Sequence, residues 1–92
     1  MYLEIVSPEA TLFSGEVESV AVPGVNGDFQ MLNNHAAIVS SLKEGFVKIS
    51  GNITLHEEVQ DNFSKGDNNT TLLKISSGTI EMKDNKVIVL AD

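Results

Sequence analysis

Few residues in this 92-residue chain carry side chains that do chemistry, and fewer stand at spacings that chemistry needs. His56-Glu57-Glu58 places three residues of metal-ligating type in a row. Neighbours on an extended chain point to opposite faces, and a metal site needs fixed geometry with supporting contacts, so the stretch reads as a solvated polar loop. Ser40, His35 and Asp28 supply the residue types of an acyl-transfer triad without the setting of a nucleophile elbow. No glycine pattern for cradling phosphate occurs. Cysteine is absent, which removes thiolate nucleophiles, cysteine-bound zinc and disulfides together. The expectation is a non-catalytic chain without cofactor or metal.

What remains is GDFQMLNNHAAIVSSLKEG, residues 27 to 45. Gly27-Asp28 reads either as a turn that caps a strand or as an exposed acid for docking. His35, between a turn and an apolar strand, reads equally as a packing residue or a contact residue. Phe29, Met31, Ile38 and Leu42 are core candidates.

The elements that position these residues are short strands. Runs rich in Val, Ile, Leu and Thr recur around 2–6, 17–22, 28–32, 37–42, 46–50, 71–76, 79–83 and 86–90, with weaker runs at 10–13 and 53–59. This spacing predicts an all-β sandwich or flattened barrel of about eight to ten short strands. Ile80 and Met82 alternate with Thr79, Glu81 and Lys83, the pattern of a half-buried strand. Lys86-Val87-Ile88-Val89-Leu90 does not alternate, which predicts a strand central in its sheet or covered on both faces. Asp84-Asn85 between them suits a tight hairpin, and Pro23-Gly24 and Asn26-Gly27 punctuate an earlier turn.

The polar segment 51–71 reads as a long surface loop or a hairpin insertion within a single domain spanning 1–92. No convincing helix is present; the best stretch for one is His56–Asp61. Asn52-Ile53-Thr54, Asn62-Phe63-Ser64, Asn68-Asn69-Thr70 and Asn69-Thr70-Thr71 match the glycosylation pattern, but read as loop chemistry.

Charge and size restrict partners. Thirteen acidic residues against six lysines and no arginine give a net charge of −7. Such a chain repels phosphate backbones and anionic lipid surfaces, so neither nucleic acid nor direct membrane insertion is expected. No apolar run approaches the roughly 18–20 residues of a membrane span. Met1 leads into the strand-like Tyr2–Val6 without a signal-peptide core, so a soluble, non-secreted chain is expected. Surface scaling gives roughly 5,200 Å² folded against about 14,000 Å² unfolded, enough for one modest core.

Several short motifs follow one another in order: Leu3-Glu4-Ile5-Val6-Ser7-Pro8-Glu9, Leu12-Phe13-Ser14-Gly15-Glu16-Val17-Glu18-Ser19-Val20, Val22-Pro23-Gly24 and Gly27-Asp28-Phe29. Leu32, His35-Ala36, Leu42 and Gly45 continue the series, which resumes at Ile75–Glu81 and Asn85–Asp92. The ordered set resembles the epsilon subunit of F-type ATP synthases, bacterial type. The resemblance implies that family's N-terminal β-sandwich, at the foot of the rotating central stalk, bound to the gamma subunit and to the polar loops of the c-ring. It places the 24–35 loop at the end facing the ring, with Gly27, Asp28, Phe29 and His35 as ring contacts, and leaves the gamma contacts unknown. It also implies a peripheral position on the cytoplasmic face of the bacterial inner membrane, within an enzyme that makes ATP from proton or sodium flow.

The sequence departs from the family at particular residues. Asn33-Asn34 and Ala37 stand where the family has Pro-Gly and often Pro, although asparagine supplies a glycine-like turn. Residues 51–71 are longer than the family's equivalent. The sequence ends at Asp92, where the family's C-terminal helical hairpin would begin, so nucleotide-sensitive braking is not expected of these residues. The competing expectation is a β-sandwich module for carbohydrate or another small ligand. One tyrosine, four phenylalanines and no tryptophan are poor material for sugar stacking.

Overall fold

The computed structural model describes residues 1–92, and the period-two placement of apolar side chains decides where its strands run. There are ten: β1 (Tyr2–Val6), β2 (Thr11–Glu16), β3 (Ser19–Gly24), β4 (Gly27–Met31), β5 (Ile38–Leu42), β6 (Gly45–Ser50), β7 (Phe63–Lys65), β8 (Thr70–Ile75), β9 (Gly78–Lys83) and β10 (Lys86–Ala91). Their hydrogen-bonded path is β2-β1-β10-β9-β5-β3-β6-β8-β7, with β4 on the remaining edge of β3. Only β1 and β10 pair in parallel.

A single residue pair, Gly24 with Leu42, joins β5 to β3. The sheet folds at that corner into two five-stranded layers, β2-β1-β10-β9-β5 and β4-β3-β6-β8-β7. Pro23 explains the corner. β3 pairs with β6 through Ser19–Ala21, but a proline has no N–H to continue a ladder. Its carbonyl instead accepts from the Lys43 N–H at 2.9 Å, and the Val25 N–H donates to the Ser41 carbonyl at 3.1 Å, which carries β3 onto β5.

The inner faces of the layers form one core. Leu3, Ile5, Ile80 and Val89 from one layer meet Val20, Met31, Val47 and Ile49 from the other, all at most 1 % exposed. Burying each such side chain contributes about 1.5–3 kcal/mol. Ser19 is the single buried polar residue, and its hydroxyl accepts from Gln30 Nε2 at 3.2 Å.

Two details of the sequence reading gain definition here. Asp84 and Asn85 take φ of 52° and 61°, the left-handed pair of a two-residue hairpin turn. β10 lies between β1 and β9 but is covered on one face only: Val87 and Val89 are buried, whereas Leu90 is 51 % exposed.

Three boundaries differ from expectation. The weak run at 10–13 is a full strand, because β1 offers it a partner edge and Phe13 packs inward opposite Ile5. The strand expected from residue 17 starts at Ser19, since the Val17 and Glu18 N–H groups are taken by the carbonyls of Met1 and Ser50. No strand forms over 53–59. Ile53 and Leu55 pack on the core, but their backbone joins no ladder; Phe63–Lys65 pairs with β8 instead, after a 3-10 turn at Gln60–Asn62.

Candidate functional site

Gly27, Asp28 and Phe29 begin β4, just beyond the hairpin turn Val25-Asn26. Both turn residues keep negative φ, so the left-handed step falls on Gly27 at φ 127°. The turn is tight enough that a Cβ on Gly24 would come within 2.7 Å of the Gly27 carbonyl and 2.8 Å of the Phe29 ring. The hairpin therefore closes with Phe29 lying over Gly24 and Asp28 opposite Pro23. Phe29 is half-buried against the core, while Gly27 and Asp28 are exposed.

Asp28 makes no ion pair within the chain; the two that occur join the Met1 amine to Glu16 and Lys74 to Glu44. Its outward face borders a shallow groove of about 330 Å³ that includes Gln30, Phe46 and Lys48. An unpaired acid beside a rigid turn can orient a cationic or hydrogen-bonding partner without a buried-charge cost.

His35 is elsewhere. It closes a turn with its N–H donating to the Leu32 carbonyl at 3.2 Å, and Asn34 at φ 62° supplies the left-handed residue. The Asn34 N–H donates to Asn85 Oδ1 at 2.8 Å, and Asn33 Oδ1 accepts from the Met1 amine at 2.8 Å. These bonds fix the 32–37 loop beside the β9–β10 turn. The imidazole is exposed, with Nδ1 donating to the Ala36 carbonyl at 2.8 Å, so the packing alternative for His35 does not describe it.

Asp28 and His35 thus sit at opposite ends of β4. The strand alone separates them by roughly 10 Å before the loop adds its own length. The 24–35 stretch expected at one end of the sandwich spans from one end to the other, and Gly27, Asp28 and Phe29 form a group that His35 does not join. The same separation leaves Ser40, His35 and Asp28 without triad geometry; Ser40 Oγ donates to the Ser41 carbonyl. His56, Glu57 and Glu58 are exposed on the 51–71 segment, and nowhere do three His, Asp or Glu side chains converge as a metal site would need.

The sequence reading missed a second surface. On the outer face of β5, β9, β10 and β1, the register sets Val39 beside Glu81, Glu81 beside Ile88, and Ile88 beside Glu4; the next row holds Thr79, Leu90 and Val6. Val39 is 73 % exposed. The unbroken apolar run of β10 was the available signal, because a strand covered on one face has no internal reason to carry Ile88 and Leu90 outward.

Comparisons with known proteins agree with this architecture. The model of the ATP synthase delta/epsilon chain β-sandwich domain family matches residues 1–92. The chain is 38 % identical to the ATP synthase epsilon chain of Chlorobaculum tepidum over 90 residues, covering 98 % of this chain and 86 % of that one. It is 39 % identical to the ATP synthase epsilon chain of Campylobacter jejuni over 88 residues, covering 96 % of this chain and 57 % of the relative. A chain in the cryo-EM structure of the central stalk and c-ring of Tetrahymena thermophila mitochondrial ATP synthase shares the fold at a TM-score of 0.70 and 13 % identity, covering 98 % of this chain and 61 % of that one. From its first strand to its last, the chain belongs to the ATP synthase delta/epsilon β-sandwich domain family.

Proposed function

We propose that this chain is a non-catalytic rotor module of an F-type ATP synthase, coupling rotation of the c-ring to the gamma subunit and so to ATP synthesis at other subunits. The observation that carries the reading is the family match over all 92 residues, on a sandwich with two separate exposed surfaces of different chemistry. The hairpin tip with Gly27, Asp28 and Phe29 is polar and rigid, and it suits the polar loops of the ring. His35 reaches a different part of the complex, or the ring only if contact runs along the whole of β4. The rows that set Val39, Ile88, Leu90 and Val6 among Glu81, Glu4 and Thr79 suit gamma. Two stable interfaces would take about 600 Å² each from this chain, roughly a fifth of its 5542 Å² surface. A place on the cytoplasmic face of the bacterial inner membrane, held through partners, follows from this role.

Affinity purification of the tagged chain from native membranes tests the reading. Gamma and c subunits are expected in stoichiometric recovery. Recovery without any synthase subunit, under conditions that keep the enzyme assembled, would overturn it.

A further inference from the structure

We propose that the groove between residues 53–55 and strand β7 takes up an extended, lysine- or arginine-bearing peptide segment by main-chain pairing. This inference concerns the 51–71 segment, which the rotor role leaves without a task, and it does not depend on that role.

The groove has a volume of about 460 Å³. Ile53, Leu55 and Phe63 form its apolar part, with Thr54, Asp61 and Lys65 at its polar rim. One wall is the stretch Ile53–Leu55. Its two apolar side chains are held against the core, yet none of its backbone N–H or carbonyl groups bonds to another part of the chain. The other wall is the open edge of β7. The Gly66 N–H donates to the Thr70 carbonyl at 2.8 Å, so the bonded positions of this antiparallel ladder fall at 66/70 and 64/72. That phase turns the N–H and carbonyl of Lys65, and the carbonyl of Phe63, away from β8. The Phe63 N–H is already bonded to the Gln60 carbonyl.

The open main-chain edge of β7, set across an apolar floor from the unbonded stretch 53–55, selects a ligand that alternates donors and acceptors and carries an apolar side chain at alternate positions. An extended peptide does both. A small apolar molecule would fill the floor and leave the walls unmatched. Charge sets the sign of the peptide: the 51–71 segment carries Glu57, Glu58, Asp61 and Asp67 against Lys65, with Asp61 and Lys65 lining the groove itself, and the chain as a whole has a net charge of −7. A second copy of this chain is the wrong partner, since each carries a net charge of −7.

The test is a titration of the ¹⁵N-labelled 92-residue chain with a blocked peptide of alternating lysine and valine. Saturable amide shifts are expected at 53–55 and 63–65. The same peptide N-methylated at alternate residues loses its inward donors and should bind at least tenfold more weakly. A glutamate–valine peptide should not bind. Lys65→Pro removes the outward N–H without touching the bonded position at Ser64, and should weaken binding at least tenfold, whereas Lys65→Gln should retain it. The N-methylated peptide decides the matter on the unaltered chain if Lys65→Pro fails to fold. Absence of saturable shifts, shifts confined to other strands, equal binding of the N-methylated or acidic peptide, or dimerisation of the free chain through β7 would each overturn the proposal.

Discussion

Reversing the charge at the hairpin tip separates docking from folding. Asp28 is exposed, lies opposite Pro23, and has no ion pair in the chain, so Asp28→Lys removes no internal partner. An exposed surface change of this kind alters stability by about 0.5 kcal/mol or less, or about 2–4 °C in Tm for a domain of this size. At the interface, an exposed pair contributes about 0.2–1 kcal/mol. Reversal replaces that attraction by a repulsion of similar size, a total of about 1–2 kcal/mol at the upper half of the range, or roughly 5–30-fold in affinity. Asp28→Asn should show about half of the free-energy effect. The assay is ATP-driven proton pumping by membranes carrying the variant enzyme, read beside thermal melting of the isolated chain at low and physiological ionic strength. Screening shortens to about 8 Å at physiological salt, so the pumping defect should shrink there. Unchanged pumping at low salt would refute a docking role, and a Tm loss beyond about 8 °C would return Asp28 to a purely structural turn.

The other expectations address single contacts. Gly24→Ala forces a Cβ against the Gly27 carbonyl and the Phe29 ring, and should cost about 1–3 kcal/mol by denaturant melting; a neutral result would mean that the hairpin tip yields easily. Ile49→Ala empties a fully buried position and should cost about 2–5 kcal/mol, a Tm drop of at least about 8 °C. Val39→Lys with Leu90→Lys sets a lysine opposite Glu81 and should leave melting nearly unchanged while reducing gamma in affinity purification; intact gamma recovery would remove these rows from that interface.

The strands were legible because their physics is local. Ile80 and Met82 alternating with Thr79, Glu81 and Lys83 is a statement about one face of one strand, and Asp84-Asn85 carries its left-handed turn in its own side chains. Asn34 is equally local: it takes the glycine-like φ that its residue type allows. The segment 53–59 was misread for the same reason that the others were readable. Ile53 and Leu55 have the right spacing for a strand, but a strand also needs a partner edge, and the edge of β8 went to Phe63–Lys65.

The sequence by itself determined the all-β class, the acidic surface, the missing thiol chemistry, and the motif order that identifies the family, since each depends on residue type and spacing alone. Only the tertiary structure decided which residues share a surface. It carried Gly27, Asp28 and Phe29 to one end of β4 and His35 to the other, because residues close in sequence are driven apart by an intervening strand. It gathered Val39, Ile88, Leu90 and Val6 from three distant strands onto one face, because cross-strand register, set by the buried alternation of the opposite face, leaves these side chains no other direction.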